Sequence, residues 1–442
     1  MSIRLHIIPI AAMLLTASAG PLLAQQKPPL RLTLSEAVRL ALRQNPEVQI
    51  AHLEVAGSRE DRLIARSALL PQAGLSVSDA AVRRNLEAFI GRRIPGFPQQ
   101  VGPFQSFQAG PGFSVPIFDL TLWRRYQASG RTLDSTEAQQ LTVRERTTLL
   151  VVSQYLGCLR AAADVRAAES RVELAQALYG QAVELQKQGI STALDTLRSN
   201  VELQNEKQRL IVARTARWTS LYGLAQLLNL DPHQAVVLAD EMSFFQTPQF
   251  SREESIEGAY AARPEIQALR AREEAARLEM KAAGEERLPK VLVEGNWAYQ
   301  GLSAPTAIPA YQYQVTLQVP LFTGGRIRAQ TAKADIQLKQ LNRQVADLKS
   351  RIALEVKTAV EQLSAARTEV DVANLGVKLA QDEVEDARQR FQAGVVNNIE
   401  VTTAQDALSR ANDNQIAAFY RYNQARADLA HATGQIEKLY TH

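Results

Sequence analysis

The chain has 442 residues, 46% hydrophobic and 22% charged, which excludes a disordered polar chain and a multi-span helical membrane protein. Fifty Lys and Arg against 46 Asp and Glu leave a formal charge of +4, small and spread along the sequence, so no nucleic-acid partner is expected. One cysteine (Cys158) forbids an intramolecular disulfide, and five scattered histidines argue against zinc, so neither metal nor cofactor is expected.

Residues 1–24 read as a secretory signal. Arg4 supplies the charge, Ile7 to Leu15 the apolar stretch, and Leu22-Leu23-Ala24 a small-residue cleavage end. No cysteine follows to carry an N-terminal lipid, and no later run of 18 apolar residues offers a transmembrane helix.

The remainder is a duplication. Asn45-Pro46-Glu47 returns as Arg263-Pro264-Glu265 and Leu70-Pro71 as Leu288-Pro289, both at an offset of 218. Val115-Pro116-Ile117-Phe118 returns as Val319-Pro320-Leu321-Phe322 at 204, and Gly189 as Gly394 at 205. So long a period marks a doubled domain half, not a solenoid. The halves divide as 25–230 and 251–442 with a linker at 231–250, and the 14-residue drop in offset places an indel in a surface loop between Leu-Pro and Val-Pro.

Each half opens with helix. Thr33 with Glu36, and Ser251 with Glu254, have capping-box spacing. Pro46 and Pro264 begin second helices that end at Leu-Pro. Strands follow, about 72–84 and 105–118 in the first half, 290–300 and 311–321 in the second. The odd positions Phe113, Val115, Trp297, Tyr313, Val315 and Leu317 are apolar, whereas Gln312, Gln314, Thr316 and Gln318 are polar. Period 2 over about ten residues suits a tilted membrane strand, with the odd face against lipid. A soluble sheet with one wet face gives the same alternation.

Long helices come next, at 121–188 and 325–393, both free of proline. Each would span roughly 100 Å. Turns at Gly189, Ile190, Ser191 and at Gly394, Val395, Val396 lead into return helices at 193–229 and 400–439. Val356, Leu363, Val370, Val377 and Val384 recur every seven residues, with Ala359, Ala366, Ala373, Ala380 and Ala387 between them. The return helix answers with Ala404, Ala411, Ala418 and Ala425, a seam on which two helices can approach closely. Cys158 stands where the second half has Leu363 and reads as a small buried hydrophobe. The return helices cover only ~55 Å of their partners, so each long helix should lie beside two shorter ones stacked end to end. Four strands cannot close a barrel alone, because single-chain barrels begin at eight, so several chains would have to share one.

These features together resemble the TolC family of outer-membrane efflux and secretion channels. The resemblance covers most of residues 30–440 and rests on Leu32-Thr33-Leu34-Ser35-Glu36-Ala37, Asn45-Pro46-Glu47, the Leu-Pro and Val-Pro pairs, and the Arg390-Phe391-Gln392-Ala393-Gly394 tip. It implies a mainly α fold with a β-barrel portion. A homotrimer would share a twelve-stranded barrel in the outer membrane, set in lipid, with a helical tunnel in the periplasm. A periplasmic adaptor and an inner-membrane transporter would meet the tip turns. In that family, carboxylates just beyond the tips help close the aperture. Asp195 and Glu400 match those places, whereas Thr403 stands where a second carboxylate would be. Phe391 and Val396 replace a tyrosine and an arginine of the family's polar latch. No Walker loop, GxGxxG, HExxH or GxSxG is present, so no enzyme is expected. The alternative is a periplasmic coiled-coil adaptor or structural protein, which would not need the strands.

Overall fold

The computed structural model describes residues 28–441 apart from 94, 97, 190–191, 242–250 and 394–397. The signal segment of residues 1–24 and the turn residues Ile190, Ser191, Gly394, Val395 and Val396 therefore lie outside the described residues.

The chain runs β1 (Leu30–Leu32), α1 (Leu34–Gln44), α2 (Pro46–Ser67), β2 (Gln72–Asn85), α3 (Leu86–Ile90), β3 (Gln100–Phe118), α4 (Leu120–Lys187) and α5 (Ala193–Leu227). It continues with β4 (Val236–Leu238), α6 (Arg252–Ala262), α7 (Pro264–Glu285), β5 (Lys290–Gly301), β6 (Ile308–Gln318), α8 (Arg326–Gln392), α9 (Asn398–Ala432) and α10 (Ile436–Thr441). No helix among the described residues is long and apolar enough to cross a membrane.

Local chemistry sets most boundaries. Thr33 and Glu36 form a reciprocal capping box on α1, and Asn45 caps α2 by accepting from the Glu47 N–H at 2.9 Å, with Pro46 in the first turn. Asp119 accepts from the Thr121 and Leu122 amides and starts α4. Ser251 does not cap α6 with its side chain, so the second box is not formed despite its spacing. Its hydroxyl faces Glu253 instead.

The second return helix is shorter than the sequence suggests. It starts at Asn398 and ends at Ala432, and a separate α10 follows, in place of one helix over 400–439. Gly434 is the cause: at φ +68 it is left-handed, and Gln435 N–H reaches back to Ala430 O at 2.8 Å. A Cβ there would sit 3.2 Å from Arg263 Cγ. Asn229, 205 residues earlier, also takes a positive φ (49°), with Leu230 N–H on Ala225 O at 3.0 Å. Both halves thus end their return helix with one device, glycine in one and asparagine in the other.

Each long helix lies beside two shorter ones, α4 beside α2 and α5, and α8 beside α7 and α9. The halves interlock because α4 also packs on α7 and α9. One core gathers Val38, Val151, Tyr155, Cys158, Leu224 and Ile436. A second runs along α8 and α9 through Val356, Val370, Tyr422 and Leu429. A two-stranded parallel sheet, β1 with β4, closes the first core; β4 lies in what reads as linker sequence. Its anchor is the Tyr155 hydroxyl, 2.9 Å from both Leu32 O and the Asp240 carboxylate. Six residues in two distant triplets, five of them apolar, carry no periodic signal, which is why the sequence hides this sheet.

Candidate channel wall, seam and tip

The main sheet is antiparallel, in the order β2-β3-β5-β6. Its register joins odd to odd and even to even residues through most of its length: Ala73 faces Phe113, Phe113 faces Gly295, and Gly295 faces Tyr313. One parity therefore makes one continuous face. Leu75, Phe113, Trp297, Tyr313, Val315 and Leu317 stand exposed on the odd side, with Val115 half-buried among them. The even side is wet. Gln314 receives from Gln312 at 3.4 Å and donates to Thr316 at 2.9 Å, and Ser114, Glu294 and Asn296 line the same polar hollow. Strands β2 and β6 are open edges.

Strand limits differ from the sequence reading at both ends of the sheet, away from the helices for β3 and next to them for β6. β3 starts at Gln100, five residues before position 105. β6 runs from Ile308 to Gln318, so Val319, Pro320 and Leu321 leave the sheet. Pro320 has no N–H for the ladder. The 14-residue difference between the halves is shared between longer strands in the first hairpin and its loop, which carries α3.

The alanine seam is an intrachain contact between α8 and α9. Ala366, Ala380 and Ala418 are buried there, and Ala373 and Ala411 half-buried. At the same end an ion network joins three helices. Arg171 of α4 approaches Glu206 of α5 at 3.4 Å and Asp413 of α9 at 2.9 Å. The Glu206 side chain is only 7% exposed and also pairs with Arg209. Sequence reasoning missed this network because its members lie 35 and 242 residues from Arg171.

At the tip, Gly189 takes φ +73, a left-handed turn that favours glycine. Asp195 is half-buried and completes a capping box: its carboxylate receives the Thr192 hydroxyl at 2.6 Å and the Thr192 amide at 3.1 Å. Glu400 receives Arg390 Nη1 at 2.6 Å across the second turn. Thr403 is exposed one turn further along α9. Within one chain both carboxylates thus have local partners.

A sheet apolar on one side and wet on the other, open at both edges and mounted on two helical hairpins of roughly 100 Å, has the architecture of an outer-membrane channel protein. The chain belongs to the outer membrane efflux protein family, whose model matches residues 37–230 and 256–435. It is similar to the alkaline protease secretion protein AprF of Pseudomonas aeruginosa, 25% identical with 92% of this chain and 85% of that protein covered. It is also similar to outer membrane protein TolC of Vibrio cholerae, 22% identical with 92% and 91% covered. Among solved structures, the outer membrane protein VceC of Vibrio cholerae superposes with a TM-score of 0.78 over 91% of this chain and 96% of that one, at 18% identity. The chain is an exit duct of the outer membrane with its helices in the periplasm.

Proposed function

We propose that three copies of this chain form one passive duct, each giving four strands to a twelve-stranded barrel and two hairpins to a periplasmic tunnel. The observation that carries this is the sheet, four strands wide with β2 and β6 unpaired at its margins. Unpaired edges seek strands, and four strands are too few to close. The helical flanks support the same reading. Leu197, Val201 and Ile211 on α5, and Val372, Leu375 and Leu379 on α8, are exposed apolar side chains on the two outermost helices of the hairpin pair. Against a neighbouring copy they would be covered.

The tip turns around Gly189 and Gly394 would meet a periplasmic adaptor, which would join the duct to an inner-membrane transporter. Asp195 and Glu400 would line the aperture, with Thr403 behind them. Similar proteins are named for alkaline protease secretion and for pyoverdine export, so the duct passes on what its transporter delivers. Chemical crosslinking of detergent-solubilised protein tests the assembly. Three chains per particle are expected, and a monodisperse monomer or dimer would refute it.

A further inference from the structure

We propose that the collar where the sheet meets the helices binds anionic phospholipid headgroups of the periplasmic leaflet, an inference that rests on the membrane-channel reading. Residues 63–71, 119–127, 281–290 and 319–328 flank the sheet on its helical side. They hold eight Lys or Arg against three Asp or Glu, an excess of five in a chain whose whole excess is four. Charge that is scattered over four segments in the sequence is thus gathered at one level in space.

Ion pairs fix that level. Arg124 of α4 meets Glu285 at the end of α7 at 3.1 Å. Glu286 is shared by Arg125 of α4 at 3.4 Å and Arg326 of α8 at 2.6 Å. Lys290 of β5 meets Asp119 at 2.9 Å. All three acids are consumed, one of them by two arginines. Arg66, Arg287 and Arg328 are exposed and have no carboxylate within 4.0 Å among the described residues. The collar is therefore a surplus of guanidinium groups, suited to forked hydrogen bonds with phosphate.

Its neighbours name the occupant. Leu321 and Phe322, 93% and 90% exposed, follow β6 after Val319 and Pro320, and Phe118 and Trp123 are exposed close in sequence to Arg124 and Arg125. Apolar strand face, aromatic side chains, then arginines is the order of a membrane boundary from acyl chain to headgroup. A cation at an anionic lipid surface is worth about fivefold in binding.

Native mass spectrometry of the detergent-solubilised protein with added phosphatidylglycerol or phosphatidylcholine provides the test. The wild type should retain phosphatidylglycerol at least ten times better, with the preference shrinking as salt rises. R66Q/R287Q/R328Q should lose most of that preference while still entering liposomes. Should that variant misfold, E286Q, which frees two further arginines, must raise the preference. No preference in the wild type, or an unchanged one in either variant, overturns the proposal. Arginines facing the tunnel would give that unchanged preference together with altered anion selectivity. A wild type that enters liposomes of neither lipid would bring down the channel reading and this proposal with it.

Discussion

Phe113 of β3 and Tyr313 of β6 meet across Gly295 of β5, their ring centroids 6.2 Å apart and tilted by 44°. A Cβ on Gly295 would lie 2.5 Å from Phe113 Cε1 and 2.7 Å from Tyr313 Cδ1. The glycine leaves a gap in the outer face, and the two rings fill it. Gly295→Ala should push the rings off their rotamers at a cost of about 1–3 kcal/mol. Thermal unfolding in detergent should show a lower midpoint, and an unchanged midpoint would show that the rings yield freely.

The α8–α9 seam gives a second expectation. Ala418 is 1% exposed and Ala380 8% exposed. Either one changed to Leu should lower hairpin stability by about 1–3 kcal/mol through overpacking. Glu385 is exposed and among the described residues bonds only along its own helix, to Gln389, so Glu385→Ala should be nearly silent. Denaturant melts followed by helical circular dichroism separate the three, and equal tolerance would mean the seam is loose.

A third concerns acid. His431 of α9 is half-buried beside Arg263, and desolvation first, the guanidinium second, push its imidazolium pKa below the ordinary histidine value. The neutral ring is thus favoured in the fold, and its stabilising share is present above pH 6.5 and lost as pH falls through the lowered value. Burial shifts the nearby Asp428 upward, so its share runs the other way: present at low pH and lost as pH rises. His431→Gln removes the first contribution, together with the charge of His431 that lowers the pKa of Asp428 and Glu265. Between pH 7 and 5 the variant should gain stability relative to wild type, as read from urea midpoints. A constant difference across that range would refute the assignment.

The tip carboxylates give a fourth. Six carboxylates from three copies of Asp195 and Glu400 around one aperture would favour cations. Asp195→Asn with Glu400→Gln should reduce cation preference and divalent block in single-channel recordings. Loss of the Thr192 capping box and the Arg390 pair should cost only about 0.5–2 kcal/mol, because both are local and partly solvated. Unchanged selectivity would leave these residues as helix-start carboxylates alone.

The features that repeat were legible along the chain. Heptad alanines, period-2 strands, prolines at helix starts and the doubled order of motifs are local patterns, and local patterns dictate elements because one face of each must be buried. Even Cys158 could be placed, since its copy Leu363 is buried at the equivalent position of α8. Features that depend on distant partners emerge in the folded chain alone. The β1–β4 sheet tied by Tyr155, the Arg171 network and the cationic collar all join segments far apart in the chain, and nothing in any one segment specifies its partner. The second return helix was legible in kind but not in length. Gly434 ends it in a left-handed turn packed against Arg263, a contact between residues 171 positions apart that no periodicity records.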